Sequence, residues 1–265
     1  MLILVNIAVF TWQITQPSGA NSSDSPHIEG LSEQDETTLQ YGAIPYRLTH
    51  PGKDCAVATT PADFGGAQQK VVCEGTPELR KAEARGALVQ PLDSPPWWAT
   101  VFTSMFMHGG ILHIAFNMLF LWIFGNNVED SMGRGRFVLF YLLAGIAAAY
   151  AQALLDTNAT LPAVGASGAI AGVLGGYLLL YPHARVLTMV IIIFFVTLIE
   201  IPAVIMLGIW FVLQFVPAIG QLATPEVSAS GGGVAYFAHV GGFVFGLAAI
   251  KLFANRYRAA GPEYA

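Results

Sequence analysis

The chain is 265 residues long, 54% hydrophobic and only 11% charged, with a mean hydropathy of +0.57, whereas an average soluble domain carries about 25% charged residues. That composition excludes an ordinary water-soluble domain and points to a membrane protein. The formal net charge is -5 and the pI about 5.6, with no basic stripe to meet a phosphate backbone, so nucleic acid is excluded as a partner.

The first 14 residues are apolar but short of the roughly 20 that a helix needs to cross hydrocarbon. They are expected to be a first transmembrane helix, residues 1–15, truncated at its N-terminus. A signal peptide is the alternative, because Ser18-Gly19-Ala20 resembles a cleavage site, but no Lys or Arg precedes the apolar run. Residues 16–97 hold 6 of the 12 Lys and Arg and 11 of the 17 Asp and Glu. With turn material and little apolar periodicity, this segment is expected to be a long extramembrane loop. It contains both cysteines, Cys55 and Cys73, which are expected to join in an oxidising compartment, with two free thiols as the other reading.

Apolar stretches follow at 98–125, 137–155, 164–181, 186–217 and 234–254. The stretch 186–217 is long for one span and short for two with a turn. Glu200 and Pro202 suit the first turn of a helix, where the dipole favours an acid and a missing N–H is harmless. The helix is therefore expected over 200–217, with 186–198 as an interfacial or re-entrant lead-in. The predicted core is 98–254, followed by a cytoplasmic tail at 255–265.

Loop charge sets the orientation. Arg134, Arg136, Arg185, Lys251, Arg256 and Arg258 follow alternate spans, while residues 156–163 and 218–233 contain no Lys or Arg. The positive-inside rule places the former in the cytoplasm. The cysteine-bearing loop then lies outside, in a plasma or inner membrane, together with the starts of the fourth and sixth spans.

Those two starts carry Ser167 and His239. Gly168, Gly172 and Gly176 line one face of the fourth helix, and Gly242 and Gly246 one face of the sixth. In lipid, small residues at this spacing let helix backbones approach closely. A serine becomes a nucleophile when a base takes its proton, and histidine is the usual base. A serine at a helix start also has free backbone N–H groups nearby to stabilise an oxyanion. His113 and Asn117, at i and i+4 on the second helix, share a face that is expected to point into the bundle, since polar groups facing lipid at that depth are costly. His108 stands one turn above them.

Other intramembrane chemistries fit less well. A zinc protease would want His-Glu-x-x-His, which is absent, and His108 and His113 are spaced i, i+5. Asp130 and Asp156 fall at span ends, where they cannot form an intramembrane aspartate pair. A transporter would be expected to carry intramembrane carboxylates on the outer side or a detectable repeat.

The run Phe106-Met107-His108-Gly109-Gly110-Ile111-Leu112-His113-Ile114-Ala115-Phe116-Asn117-Met118, with Gly125 and Glu129, then Gly165-Ala166-Ser167-Gly168, then Ala238-His239-Val240-Gly241-Gly242 with Gly246, resembles the rhomboid intramembrane serine proteases. The resemblance covers about residues 98–254. It implies an all-α, six-transmembrane-helix bundle that cleaves transmembrane protein substrates in or near their spans, within the lipid bilayer, without metal or organic cofactor. By the same resemblance Ser167 is the nucleophile, His239 its base, and His113 and Asn117 the oxyanion donors. His108, Glu129, Gly165, Gly168, Gly242 and Gly246 are structural supports, with Glu129 bracing the end of the second helix. The alternative is a non-catalytic relative acting as a membrane chaperone or adaptor, which would be expected to lack the serine or the histidine. Two positions depart from the family pattern. Trp97-Trp98-Ala99-Thr100 lacks the arginine that many members carry, and Ala171 stands where some members place an aromatic side chain to support the histidine ring.

Overall fold

The structure is a computed structural model that describes residues 1–16, 28, 31–61, 67–192, 195–223 and 234–255. The possible cleavage site at residues 18–20, most of the loop 218–233, and Arg256 and Arg258 lie outside the described residues. The chain divides into two compact units. The first contains Met1–Asn117 and Gln152–Ala166, and the second is built from Met118–Ala151, Ser167–Ser228 and Val234–Ala265 in their described parts.

In the first unit, α1 (Leu2–Thr15) is followed by a segment that is folded, where a loop was expected. It contains α2 (Glu33–Tyr41), α3 (Pro45–Thr49), β1 (Cys55–Pro61), β2 (Ala67–Cys73), α4 (Pro77–Ala84) and β3 (Leu88–Pro91). Ser32 and Thr76 start α2 and α4 as N-caps, accepting hydrogen bonds from the backbone N–H groups of Asp35 and Leu79. The sheet order is β2-β1-β3, all antiparallel, so the chain is mostly helical rather than all-α. Both faces of the sheet are covered. Val57 and Val71 join a cluster with Ile28, Ile44 and Tyr46, while Ala58 and Val72 pack against Ala82 of α4.

Cys55 and Cys73 stand opposite one another across β1 and β2 and form a disulfide 18 residues apart in sequence. By chain-entropy accounting, a loop of this length is worth about 3 kcal/mol. Reduction is expected to raise the protease sensitivity of residues 31–92 and to lower that segment's thermal midpoint. Limited proteolysis with and without reductant checks this, and identical digestion patterns would contradict it.

The expected second span at 98–125 is broken into α5 (Trp97–Thr103) and α6 (Ile111–Met132). The cause lies in α1. Gln13, fully buried, donates from Nε2 to the His108 carbonyl (2.9 Å), while its Oε1 accepts from the His108 backbone N–H (3.1 Å). One amide thus satisfies both backbone groups of a residue that has left the helix.

The second unit takes α6 from Met118 onward, together with the apolar helices α7 (Arg134–Leu155, which ends in the first unit), α8 (Ser167–Leu180), α9 (Ala203–Ala223) and α10 (Tyr236–Phe253). α6, α7, α9 and α10 are long and apolar enough to cross a membrane, whereas α1 and α8 are shorter apolar helices. The chain is an integral membrane protein. Between α8 and α9, the expected interfacial lead-in is an antiparallel hairpin, β4 (Arg185–Ile192) with β5 (Phe195–Pro202). Glu200 sits in β5 and pairs with Arg185 at 3.3 Å, so it does not occupy the first turn of α9, which starts after Pro202. Strand pairing wins here because the Val- and Ile-rich run satisfies its backbone groups across the hairpin.

α8 and α10 meet through glycine. A Cβ on Gly242 would run into the Gly168 carbonyl oxygen, and one on Gly246 into that of Gly172. On the other side of α8, a Cβ at Gly168 would lie 2.6 Å from the Ala148 Cβ of α7. This is the close backbone approach that small residues permit in lipid.

Candidate active site

The segment entering α8 is set by Gly165, whose φ of 124° lies where L side chains rarely go. Its N–H donates to the Ser104 carbonyl at 2.8 Å. α8 begins at Ser167, so the N–H groups of its first turn have no intrahelical partners.

Ser167 and His239 lie side by side in the second unit, with Ser167 Oγ 2.8 Å from His239 Nε2. On the other edge of the ring, His239 Nδ1 is 2.8 Å from Gln214 Oε1 of α9. An amide oxygen can only accept, so Nδ1 carries the hydrogen. Nε2 then presents its lone pair to the serine hydroxyl, which is the tautomer a general base needs. One turn before Gln214, the Trp210 ring stands 6.0 Å from the imidazole, tilted by 37°. Trp210 and Phe211 also pack on Phe243, holding α9 against α10.

These contacts account for Ala171. It is fully buried, and a Cβ on Gly242 would lie 3.4 Å from its methyl group. The close seating of α8 on α10 fills the space there, and the aromatic neighbour of the histidine comes from α9.

In the first unit, His113 and Asn117 lie on α6, whereas His108 precedes it in the segment held by Gln13. The His108 and His113 rings meet edge to face at 5.2 Å. The Gly109 N–H donates to His113 Nδ1 at 3.4 Å, which places the His113 hydrogen on Nε2. Asn117 is buried, and its Nδ2 has no hydrogen-bond partner among the described residues.

The model of the Rhomboid domain matches residues 95–256, well over half of the chain. The chain belongs to the rhomboid family. Among similar rhomboid proteins, Rhomboid protease GluP of Bacillus subtilis is 40% identical over 104 residues, 39% of this chain and 20% of that protein. Rhomboid protein 1, mitochondrial, of Saccharomyces cerevisiae is 31% identical over 157 residues, 56% of this chain and 40% of that one. RHOMBOID-like protein 5 of Arabidopsis thaliana is 33% identical over 102 residues, 38% and 32% of the two chains. The matched regions span between 20% and 40% of these rhomboid relatives' own lengths.

Within the rhomboid domain, Glu129 lies in the last turn of α6, its carboxylate 3.5 Å from Arg134 Nε and its carbonyl accepting from the Gly133 N–H. It ties the end of α6 to the start of α7. Sequence reasoning missed Gln214 and Trp210. A signal for Gln214 was present, because it is the one amide in the apolar run 203–217. A polar side chain facing lipid at that depth is as costly for Gln214 as for His113 and Asn117.

Proposed function

We propose that this chain is an intramembrane serine endopeptidase that hydrolyses peptide bonds in or near the transmembrane segments of membrane proteins, using Ser167 and His239 as a dyad. The observation that supports this reading most is the 2.8 Å hydrogen bond from Ser167 Oγ to an acceptor Nε2 of His239. In the same reading α1 and α6 to α10 are six spans, with the dyad opening to the extracytoplasmic side and the C-terminus in the cytoplasm.

The Ser167 hydroxyl passes its proton to His239 Nε2 as Oγ bonds to the scissile carbonyl carbon. The oxyanion takes hydrogen bonds from N–H groups at the start of α8, and the family resemblance assigns His113 and Asn117 as its side-chain donors. As the C–N bond breaks, the imidazolium returns its proton to the leaving amine, and an ester on Ser167 remains. Water then repeats the sequence, giving up its proton to Nε2 and releasing the acid and free serine. A helical substrate must locally unwind before its carbonyl can be reached, because its backbone groups are otherwise paired within the helix.

The test is cleavage of a single-span model substrate in proteoliposomes. The cut is expected at one bond within or beside the span. Tight binding of the span without any cut would instead mark a helix chaperone. Asn117→Ala is expected to lower kcat by about 100- to 1000-fold, the cost of one oxyanion donor, with KM little changed. An unchanged kcat would remove Asn117 from the mechanism.

A further inference from the structure

We infer that Gln214 is a positioning residue, the third member of a Ser167–His239–Gln214 relay in which an uncharged amide does what an acid does in soluble serine proteases. The inference rests on Ser167 and His239 being the reacting pair.

Two features of the second unit carry it. The first is geometric. Gln214 Oε1 lies 2.8 Å from His239 Nδ1, on the edge of the ring opposite the Ser167 contact of 2.8 Å. A single hydrogen bond on that edge fixes both the ring plane and the tautomer, leaving Nε2 as the acceptor that Ser167 requires.

The second is the charge inventory around the ring. α8 contributes Tyr177 as its titratable side chain, and α9 contributes none. α10 contributes Tyr236, His239 and Lys251, the last of these 12 residues beyond the histidine. That is about 18 Å of helix. The α7 atoms nearest Gly168, Gly172 and Gly241 belong to Ala144, Ala147, Ala148 and Ala151. No carboxylate belongs to α8, α9 or α10, and among the described residues the acceptor facing His239 Nδ1 is the Gln214 amide. An amide suits this place. A carboxylate in an apolar bundle carries a large desolvation cost, whereas an amide oxygen accepts the same hydrogen bond without bringing a charge into the membrane. Trp210, one turn earlier on the same face of α9, closes over the ring at 6.0 Å and leaves Nδ1 facing the amide.

Three variants test this: Gln214→Met, which keeps length and volume but removes the acceptor; Gln214→Glu, which keeps an acceptor and adds a charge; and Ser167→Ala. The rate of labelling by a fluorophosphonate probe and the pH profile of kcat/KM on the single-span substrate are read for each. Gln214→Met is expected to keep the parent thermal midpoint while labelling about 10- to 100-fold more slowly, the scale of loss when the group orienting a working histidine is removed. Gln214→Glu is expected to recover most of that rate and to move the acidic limb of the profile to higher pH by about one unit or more. Its carboxylate would stabilise the imidazolium, and the active form is neutral histidine. A purely structural amide would move the thermal midpoint and leave that limb in place.

Labelling of Gln214→Met within twofold of the parent, or an unmoved limb in Gln214→Glu, overturns the inference. Should Gln214→Met fail to fold, the limb in Gln214→Glu decides alone. Undiminished labelling of Ser167→Ala would overturn the reading of the dyad itself, and that result is distinct from any result at position 214.

Discussion

Replacing Ser167 by alanine is expected to abolish proteolysis, lowering kcat by at least about 10,000-fold while leaving the protein folded. The magnitude follows from the role. Without the oxygen there is no acyl-enzyme, and what remains is uncatalysed attack by water on a bond held near oxyanion donors. His239→Ala is expected to cost nearly as much, because the two residues act as a unit and their losses do not add. The side chain at 167 starts α8 without supporting it. The helix is held by Gly168, Gly172 and Gly176 against α7 and α10, so the thermal midpoint of Ser167→Ala should stay within a few degrees of the parent. Substrate binding measured as co-purification of the uncut span should persist. A variant that still cuts at the same bond would remove the serine from the chemistry.

The second large effect is expected from Gly246→Val, a residue that touches no substrate in this account. A Cβ there would run into the Gly172 carbonyl oxygen, with the Gly172 carbonyl carbon 2.7 Å away. Backbone cannot rotate aside as a flexible side chain does, so α8 and α10 must move apart. Overpacking typically costs about 1–3 kcal/mol, and a contact with backbone belongs at the upper end or beyond. The same movement stretches the Ser167–His239 hydrogen bond, since these residues sit on the two separated helices. A displacement of about 1 Å at a reacting pair costs on the order of 100-fold in rate. Gly246→Val is therefore expected both to lower the thermal midpoint and to reduce cleavage by at least about 100-fold. Gly208→Ala on α9, where an added Cβ meets nothing within 4 Å, is the control and should change neither. Parent-like cleavage by Gly246→Val would mean that the glycine seam does not set the dyad distance.

The seam and the meeting of Ser167 with His239 were legible in the sequence because their signals are local and repeat at helical spacing. Gly168, Gly172 and Gly176 fall on one face, as do His239 and Gly242, and two such faces have one good way to meet. The segment between α1 and α5 was not legible, for a definite reason. Val71 and Val72 are adjacent and both buried, one on each face of β2, because α4 covers one side of the sheet and Ile28, Ile44 and Tyr46 the other. A strand buried on both faces loses the period-two alternation by which strands are recognised.

The break between α5 and α6 was hidden differently. Gly109-Gly110 marks the break, but a reading by span length passes over it, and the group that stabilises the interruption is Gln13, 95 residues earlier in the chain. The hairpin β4–β5 was masked by its richness in apolar residues, which read as membrane contact of unspecified form. Ala171 was legible as a gap, but its compensation by Trp210 and Gln214 depends on how α9 seats on Phe243 of α10. No residue near Ala171 in sequence carries that information.

The central claim, that Ser167 is a nucleophile made reactive by His239, is tested most directly by locating a fluorophosphonate adduct. The solubilised protein is labelled, digested and mapped by mass spectrometry, alongside His239→Ala. One adduct is expected, on Ser167, formed at least about 1000-fold more slowly when the base is missing. An adduct on another residue, or labelling of Ser167 at an undiminished rate in His239→Ala, would contradict it.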